Sequence, residues 1–491
     1  MKWFVYNVLF AIAYTVMMPS FLLRMKRRGG YKARMGDRFG RYPDDIVRAI
    51  EQSNKDFVWI HAVSVGEVQV AGQLMRALRE RDPKIRFVFS TTSSTGWKTA
   101  EREVTPADVL IYNPLDFGGC VKRALDLVNP RAVILTETEI WPNFIRALKK
   151  RGIPVYLVNA RISDHSAPRY RKLRWFFGEV FRCFAKIYAQ SDLDAQRLID
   201  AGADPASVAV TGSFKFDVAH RSPAKESELL SWITQSNNPN NQTISQSNNS
   251  PILLGGSTWP GEDVVLLNAY RKLLAKHPDV KLVIAPRHFE KADAVEANIV
   301  SAGFSCVRRS RQLKAAQSPQ SEQSLNLNNR TISQSEQSLN LNNRTISQSE
   351  QSNNPNNQTI EQSPAVYLAD TTGELMGLFG ISTVAFVGKS LCEHGSQNMI
   401  EPCLCGVATV VGPYTENFRP VMSDLLAADA LVQTPDAPTA EARADAVVAA
   451  ILRLFDDEAE RRALGARAQA AVVRRCGVVG RCADELLEAL K

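Results

Sequence analysis

The sequence predicts an α/β protein built from two successive parallel, doubly wound sheets behind an amino-terminal apolar helix. Short apolar runs rich in β-branched and aromatic residues alternate with segments of helical spacing, the βα rhythm of a parallel sheet. The rhythm stops near Val210 to Asp217 and restarts at Pro251, which splits it into two series of similar size. The length of 491 residues leaves room for two or three domains.

Taken in order, Trp3 to Leu23 is apolar apart from Asn7, Thr15, Pro19 and Ser20, long enough to cross a bilayer once. Only Lys2 precedes it and no A-x-A-like site follows, so a cleaved signal peptide does not fit. The favoured reading is a single spanning anchor. The other is an interfacial helix broken at Pro19. Asp56 to Val63 reads as a buried strand and Val68 to Arg81 as a helix, with Ser64 to Glu67 a tight turn in which Gly66 takes positive φ. Further strands are expected at Arg86 to Ser90, Val109 to Tyr112, Arg131 to Leu135, Pro154 to Asn159 and Lys186 to Ala189. Helices are expected from about Gly96, over Phe117 to Leu127, and after Glu139 with Pro142 in the first turn. In the second series the strands are Ile252 to Leu254, Lys281 to Ala285, Val366 to Leu368, Thr383 to Val387 and Ala408 to Val411.

Two segments break the pattern. Residues 235–250 and 317–363 are rich in Ser, Asn and Gln, and Ser321 to Gln334 recurs unchanged as Ser335 to Gln348. Such segments bury too little apolar surface to offset the entropy of ordering, so they read as disordered loop expansions. The expected boundaries are an anchor over 1–24, an amino-terminal domain over 25–212 and a carboxyl-terminal domain over 213–491.

Net charge is +8, and the excess is concentrated after the apolar run. Arg24, Lys26, Arg27, Arg28, Lys32, Arg34, Arg38 and Arg41 face Asp37 alone. This suits an anionic membrane surface and puts the body on the cytoplasmic side. No stacking-aromatic array or helix-turn-helix pattern points to nucleic acid. The eight cysteines lack zinc spacing and read as reduced thiols of a cytosolic compartment, with Cys403 and Cys405 in the core. No Walker motif and no G-x-S-x-G support phosphate-loop or serine-triad chemistry.

Three constellations carry chemistry. Glu67, Glu137 and Glu139 all follow strand ends in the first series, where a carboxylate can take a proton from an incoming hydroxyl. Lys215, Arg287 and His288 supply cations suited to a phosphate. In Gly395 to Pro402, Ser396 reads as an N-cap. Asn398 and Glu401 share a helix face, suited to phosphate at the helix start and to ribose hydroxyls one turn in. Asp192 and Asp194 form a D-x-D, but Ser191 before them is a helix N-cap and acids are routine in a first turn, so no metal site is assigned.

The motifs HAVSVGEV, TETEIWPN, NARIS, GSFKFD, GGSTWPGED, APRH, GELM, FVGKS, NMIEP and GPYTENF occur in this order from residue 61 to residue 418. In them the chain resembles the Kdo transferases, which act on 3-deoxy-D-manno-oct-2-ulosonic acid (Kdo) in Gram-negative lipopolysaccharide assembly. The resemblance implies a GT-B fold of two Rossmann-like domains. It also implies inverting transfer from CMP-Kdo to a lipid A precursor, without metal or other cofactor, at the cytoplasmic face of the inner membrane. It places Glu67 on the general base and Glu137 and Lys215 on positions that stabilise the transition state. Arg287, His288, the turn Gly373, Glu374, Leu375, and Asn398, Met399, Ile400 and Glu401 fall on the CMP site. The chain departs from the family pattern at Ser396, at Lys389 where glycine is usual, and at Trp259 where histidine is common. Another GT-B glycosyltransferase, a GT-B sugar-nucleotide epimerase and a non-catalytic membrane-anchored binding protein stay open as alternatives.

Overall fold

Two seven-stranded sheets, every strand pair parallel, form the frames of two compact units in this computed structural model. The structure describes residues 1–28, 32–53, 56–217, 221–235, 250–316 and 364–490, with side chains of 20–28, 32, 33, 235, 315 and 316 excepted. The Ser/Asn/Gln-rich insertions, apart from their flanking residues 235 and 250, lie outside the described residues. So do the side chains of Arg24 to Lys32 in the basic cluster.

The first unit comprises residues 1–220 and 472–491. Its strands are β1 (Val58–His61), β2 (Phe87–Thr91), β3 (Val109–Tyr112), β4 (Ala132–Thr136), β5 (Val155–Ala160), β6 (Lys186–Ala189) and β7 (Val208–Val210), in the order β3-β2-β1-β4-β5-β6-β7. The chain reverses direction across the sheet between β1 and β4. Both strands are fully buried, which is why their sequences are continuous apolar runs rather than alternating ones. The helix after β1 begins at Val65, three residues earlier than the apolar spacing suggests. Ser64 is its N-cap and accepts from the Glu67 N–H. Gly66 is therefore an ordinary first-turn residue and not the positive-φ turn expected of it.

The second unit, residues 221–471, has strands β8 (Ile252–Thr258), β9 (Lys281–Pro286), β10 (Ser305–Arg308), β11 (Ala365–Leu368), β12 (Val384–Val387), β13 (Ala408–Val411) and β14 (Val432–Gln433). Their order is β10-β11-β9-β8-β12-β13-β14, and the reversal falls between β8 and β12. Gly255 and Gly256 belong to β8, and close packing leaves no room for side chains there: a Cβ on Gly255 would meet Leu266 at 2.3 Å and one on Gly256 would meet Phe379 at 2.7 Å. β7, β10 and β14 escape the sequence reading because they are edge strands of only three, four and two residues and are partly exposed.

The last helix, Val478–Leu490, belongs to the first unit, whereas the sequence assigns it to the second. Val478, Val479, Cys482, Ala483 and Leu486 pack into the core that holds Val68, Ala71, Leu74 and Met75. The Asp217 carboxylate fastens the start of that helix by accepting from Gly477 N (2.6 Å) and Val479 N (2.7 Å).

The amino-terminal helix Lys2–Arg28 runs through Pro19 without breaking. Among the described residues, no helix is long and apolar enough to cross a membrane. One edge of this helix is docked. Trp3 and Tyr6 each lie 5.3 Å from Phe176, and Phe10 and Tyr14 lie 5.0 and 5.6 Å from Phe117. Phe4, Val5, Val8, Leu9, Ile12, Val16 and Met17 are exposed. Part of the basic cluster is also committed to the fold. Arg38 is buried and donates to the Asn113 and Thr92 carbonyls, and Arg34 pairs with buried Asp37.

Buried Asp116 joins the docked helix to the sheet. It accepts from the Tyr6 hydroxyl (2.7 Å) and from Asn143 N and Phe144 N (2.9 and 2.8 Å), the first-turn donors of helix Pro142–Lys150, whose own N-cap Trp141 has no side-chain acceptor. Burial pushes the Asp116 carboxyl up to about 6 against these bonds. Asp116→Ala removes all three bonds, and the expected cost is roughly 2–4 kcal/mol by urea denaturation. Tyr6→Phe leaves the helix cap in place and costs about 1 kcal/mol. Equal losses for the two variants would show that Asp116 does not cap the helix.

Candidate active site

In an open parallel sheet, loops leaving the carboxyl ends of strands on either side of the reversal point diverge and leave room for ligands. In the first unit those loops follow β1 and β4, and they carry the three carboxylates. Glu67 stands in the first turn after β1. Its Oε2 accepts from Val63 N (3.0 Å) and its Oε1 from the Ser64 hydroxyl (2.8 Å), so cap and glutamate hold each other in a box. Burial pushes the Glu67 carboxyl up, those hydrogen bonds pull it down, and nearby Glu137 raises it again.

Glu137 follows β4 in the left-handed region at φ 53°, unusual for a residue with a side chain. The conformation is held by Glu137 N donating to Val158 O (3.0 Å) and by Arg161 Nε donating to Glu137 Oε2 (3.1 Å). Glu139 accepts from Trp141 Nε1 (3.1 Å). Burial, with the charges of Glu67 and Glu137, pushes its carboxyl up to about 8. Lys215 lies in the short turn Phe214–Phe216 after β7. Burial pulls its ammonium down, Glu137 opposes this, and Arg161 adds to it. The turn is tied to β5 by Asn159, also left-handed at φ 52°, whose Oδ1 accepts from Phe214 N (3.0 Å). The structure thus gathers Glu67, Glu137, Glu139 and Lys215, and adds Arg161, which the sequence shows only as part of the motif NARIS.

The D-x-D is a helix start. Asp194 accepts from the Ser191 hydroxyl (2.6 Å) and from Ile162 N (3.0 Å).

In the second unit the expected residues follow β11, β9 and β12, which with β8 are four consecutive strands of the sheet. Arg287 is exposed at the end of β9 and its charge acts on Glu401. Burial pushes the Glu401 carboxyl up, while the bond from Asn398 Nδ2 (3.0 Å) and Arg287 oppose this. His288 turns to Glu290 (3.0 Å) and meets the Trp259 ring edge-on at 5.2 Å. Met399 and Ile400 are fully buried, so only their backbone faces outward chemistry. Ser396 is not the helix N-cap. It sits at φ 57°, and the helix starts later, at Ile400–Leu404, where Asn398 Oδ1 accepts from Ile400 N (3.1 Å). In the Gly373 to Leu375 turn, Gly373 takes φ 83°. The buried Glu374 carboxylate accepts from Arg309 Nε (3.2 Å) and pairs with Lys225 Nζ (2.9 Å). Against burial, the bonds from Thr371, Lys225 and Arg309 hold it below the usual range.

Glu262 is the organising residue that sequence reasoning missed. Fully buried, it accepts from Trp259 N (2.8 Å), Lys389 N (3.0 Å), Ser390 N and Leu391 N (both 3.2 Å). One carboxylate so fixes both loops at the reversal point of the second sheet. Two of the three positions named above as departures also meet, with Lys389 Nζ 5.0 Å above the Trp259 ring.

Residues 33–218 match the family model described as 3-deoxy-D-manno-octulosonic-acid transferase (kdotransferase). The 3-deoxy-D-manno-octulosonic acid transferase of Haemophilus influenzae is 28% identical over 93% of this chain and 91% of its own length. That of Bordetella pertussis is 30% identical over 87% of this chain and 86% of its own. The chain belongs to the Kdo transferase family. Among solved structures, a glycosyltransferase from Rickettsia africae (14% identity, TM-score 0.51, 89% of this chain and 99% of that one) has the same fold. So does Anabaena HepE in complex with UDP (13%, 0.54, 88% and 100%). This Kdo-transferase chain is therefore a GT-B glycosyltransferase.

The Glu262 arrangement makes a test within this Kdo-transferase chain. Glu262→Gln keeps the size but turns an amide NH2 against backbone donors. The expected loss of stability is roughly 2–4 kcal/mol, read by denaturation. An unchanged midpoint would mean that the two loops hold without the carboxylate.

Proposed function

We propose that this protein is an inverting, metal-independent transferase that moves Kdo from CMP-Kdo to a lipid A precursor at the cytoplasmic face of the inner membrane. The observation that carries the reading is the cluster of Glu67, Glu137 and Glu139, which follow the two strands at the reversal point of the first sheet, with Arg161 after β5 and Lys215 after β7. Glu67 takes the proton of the acceptor hydroxyl. The oxygen forms a bond to the anomeric carbon of Kdo as the bond from that carbon to the phosphate oxygen breaks, and CMP leaves with the electron pair. Attack opposite the leaving group inverts the centre. Glu137 and Lys215 stabilise the charge that develops. Arg287, His288, the backbone of Gly373 to Leu375 and of Asn398 to Ile400, and the Glu401 carboxylate hold CMP. Commitment of Asp194 to its own helix start supports a reaction without a D-x-D-bound cation.

Incubating the purified protein with CMP-Kdo and tetra-acylated lipid A precursor tests the reading, and no product would end it. Glu67→Gln keeps the shape of the cap box but cannot accept the proton. Turnover should fall by roughly 10²- to 10⁴-fold, with CMP-Kdo affinity by calorimetry little changed. Near-normal turnover would move the base elsewhere. Weakened donor binding would make Glu67 a donor-binding residue instead.

For the membrane, the docked amino-terminal helix supports an interfacial anchor. Its aromatic edge is committed to the protein, and its exposed Phe4, Leu9, Val16 and Met17 suit the acyl boundary. The protein should float with vesicles containing anionic lipid, and Leu9→Asp with Val16→Asp should abolish flotation. Retention of the double variant on vesicles would remove this face as the anchor.

A further inference from the structure

His61, at the end of β1, is completely buried. Its Nδ1 lies 3.0 Å from the Ser90 carbonyl and 2.9 Å from the Ser90 hydroxyl, which also accepts from Trp59 Nε1 at 2.7 Å. A carbonyl only accepts, so Nδ1 carries the ring proton and Nε2 presents a lone pair. Among the described residues, that Nε2 has no hydrogen-bond partner, an expensive state for a buried polar atom. Glu139 Oε2 faces it at 3.8 Å. An ionised Glu139 would set lone pair against lone pair and add a third negative charge beside Glu67 and Glu137. A protonated Glu139 satisfies Nε2 after a small closing movement.

We propose that Glu139 carries a proton directed at Nε2 of His61, and that this bond positions the loop holding Glu137 beside Glu67. Glu139 is thus a positioning residue. It keeps the cluster at two negative charges and anchors the loop, from Thr136 to Trp141, to the buried end of β1. Its effect on turnover rests on the reading of Glu67 as the base, but the hydrogen bond itself does not.

The groups that face the pair are few and can be separated. Burial, together with the Arg38 charge and against the Ser90 bond, holds His61 down to about 3, so the ring stays neutral at every working pH. Glu67 and Glu137 both oppose ionisation of Glu139, and Trp141 Nε1 favours it. Arg161 pairs with Glu137, and Lys215 sits near both. Tyr170 feels the Glu139 charge and is itself pushed up, mainly by burial. The folded-state acid is raised above its ordinary value, so the shared proton is present at neutral pH and is lost as pH rises through about 8.

Turnover of the parent should hold near pH 7 and fall about tenfold for each pH unit above the break. Glu139→Gln presents an amide N–H to Nε2 in place of the carboxyl proton. It should lose the alkaline break of turnover. Independently of turnover, the ¹⁵N resonance of His61 Nε2 should move across the same break in the parent and stay fixed in Glu139→Gln. A hundredfold loss at pH 7 in the variant would mean that Glu139 acts ionised and overturns the proposal. An alkaline break that persists in the variant would belong to Lys215 or Tyr170 and do the same, as would a His61 resonance that does not titrate in the parent. If Glu67→Gln kept its activity while the resonance behaved as expected, the base assignment would fail and the His61–Glu139 bond would stand.

Discussion

Parallel pairing of β1 with β4, with His61 against Leu135, is the constraint on which the first unit's chemistry depends. Side-by-side strands deliver two loops some seventy residues apart in sequence to one edge, within reach of each other. The strands are buried on both faces, so slipping the register would expose apolar surface and is strongly disfavoured. The loops inherit that rigidity. Ser64 and Glu67 close a cap box on one side, and Glu137 is held at an unusual φ on the other. Backbone strain at Glu137 persists because Val158 O and Arg161 over-determine it.

Gathering three carboxylates on that edge is unfavourable by itself, and the structure shows how the repulsion is managed. Glu67 is held by backbone and hydroxyl donors, Glu137 by Arg161, and Glu139 by burial that favours its protonated form. Burial pushes both Glu67 and Glu139 up, Glu139 to about 8, while the Val63 and Ser64 donors oppose the rise at Glu67, an arrangement by which one site can hold a base and a neutral acid at the same pH. Lys215 adds a cation that burial keeps easier to neutralise than a surface lysine.

The second unit solves a parallel problem with a single buried carboxylate. Glu262 gathers backbone donors from the loops after β8 and β12, and those loops border the residues expected to hold a nucleotide. Lys389 Nζ packs over the Trp259 ring, and Lys389 holds φ 58° in a loop that Glu262 fixes.

By itself the sequence determined the parallel α/β architecture, most strand positions and the reversal-point loops, because a buried parallel strand is a continuous apolar run and its neighbouring helices keep their spacing. It also determined which loops carry acids and cations, since Glu67, Glu137 and Glu139 are visible at strand ends and the ordered motifs point to one family. Only the tertiary structure decided the rest, because it turns on long-range pairing. The last helix returns to the first unit through Asp217 and the core around Leu74. Arg38, counted among surface cations, is buried against carbonyls of distant loops. Ser396 loses its expected capping place because the helix starts at Ile400, behind Met399, with Asn398 accepting from Ile400 N. The proton affinity of Glu139 depends on burial and on charges contributed from another strand end, and no local spacing encodes either.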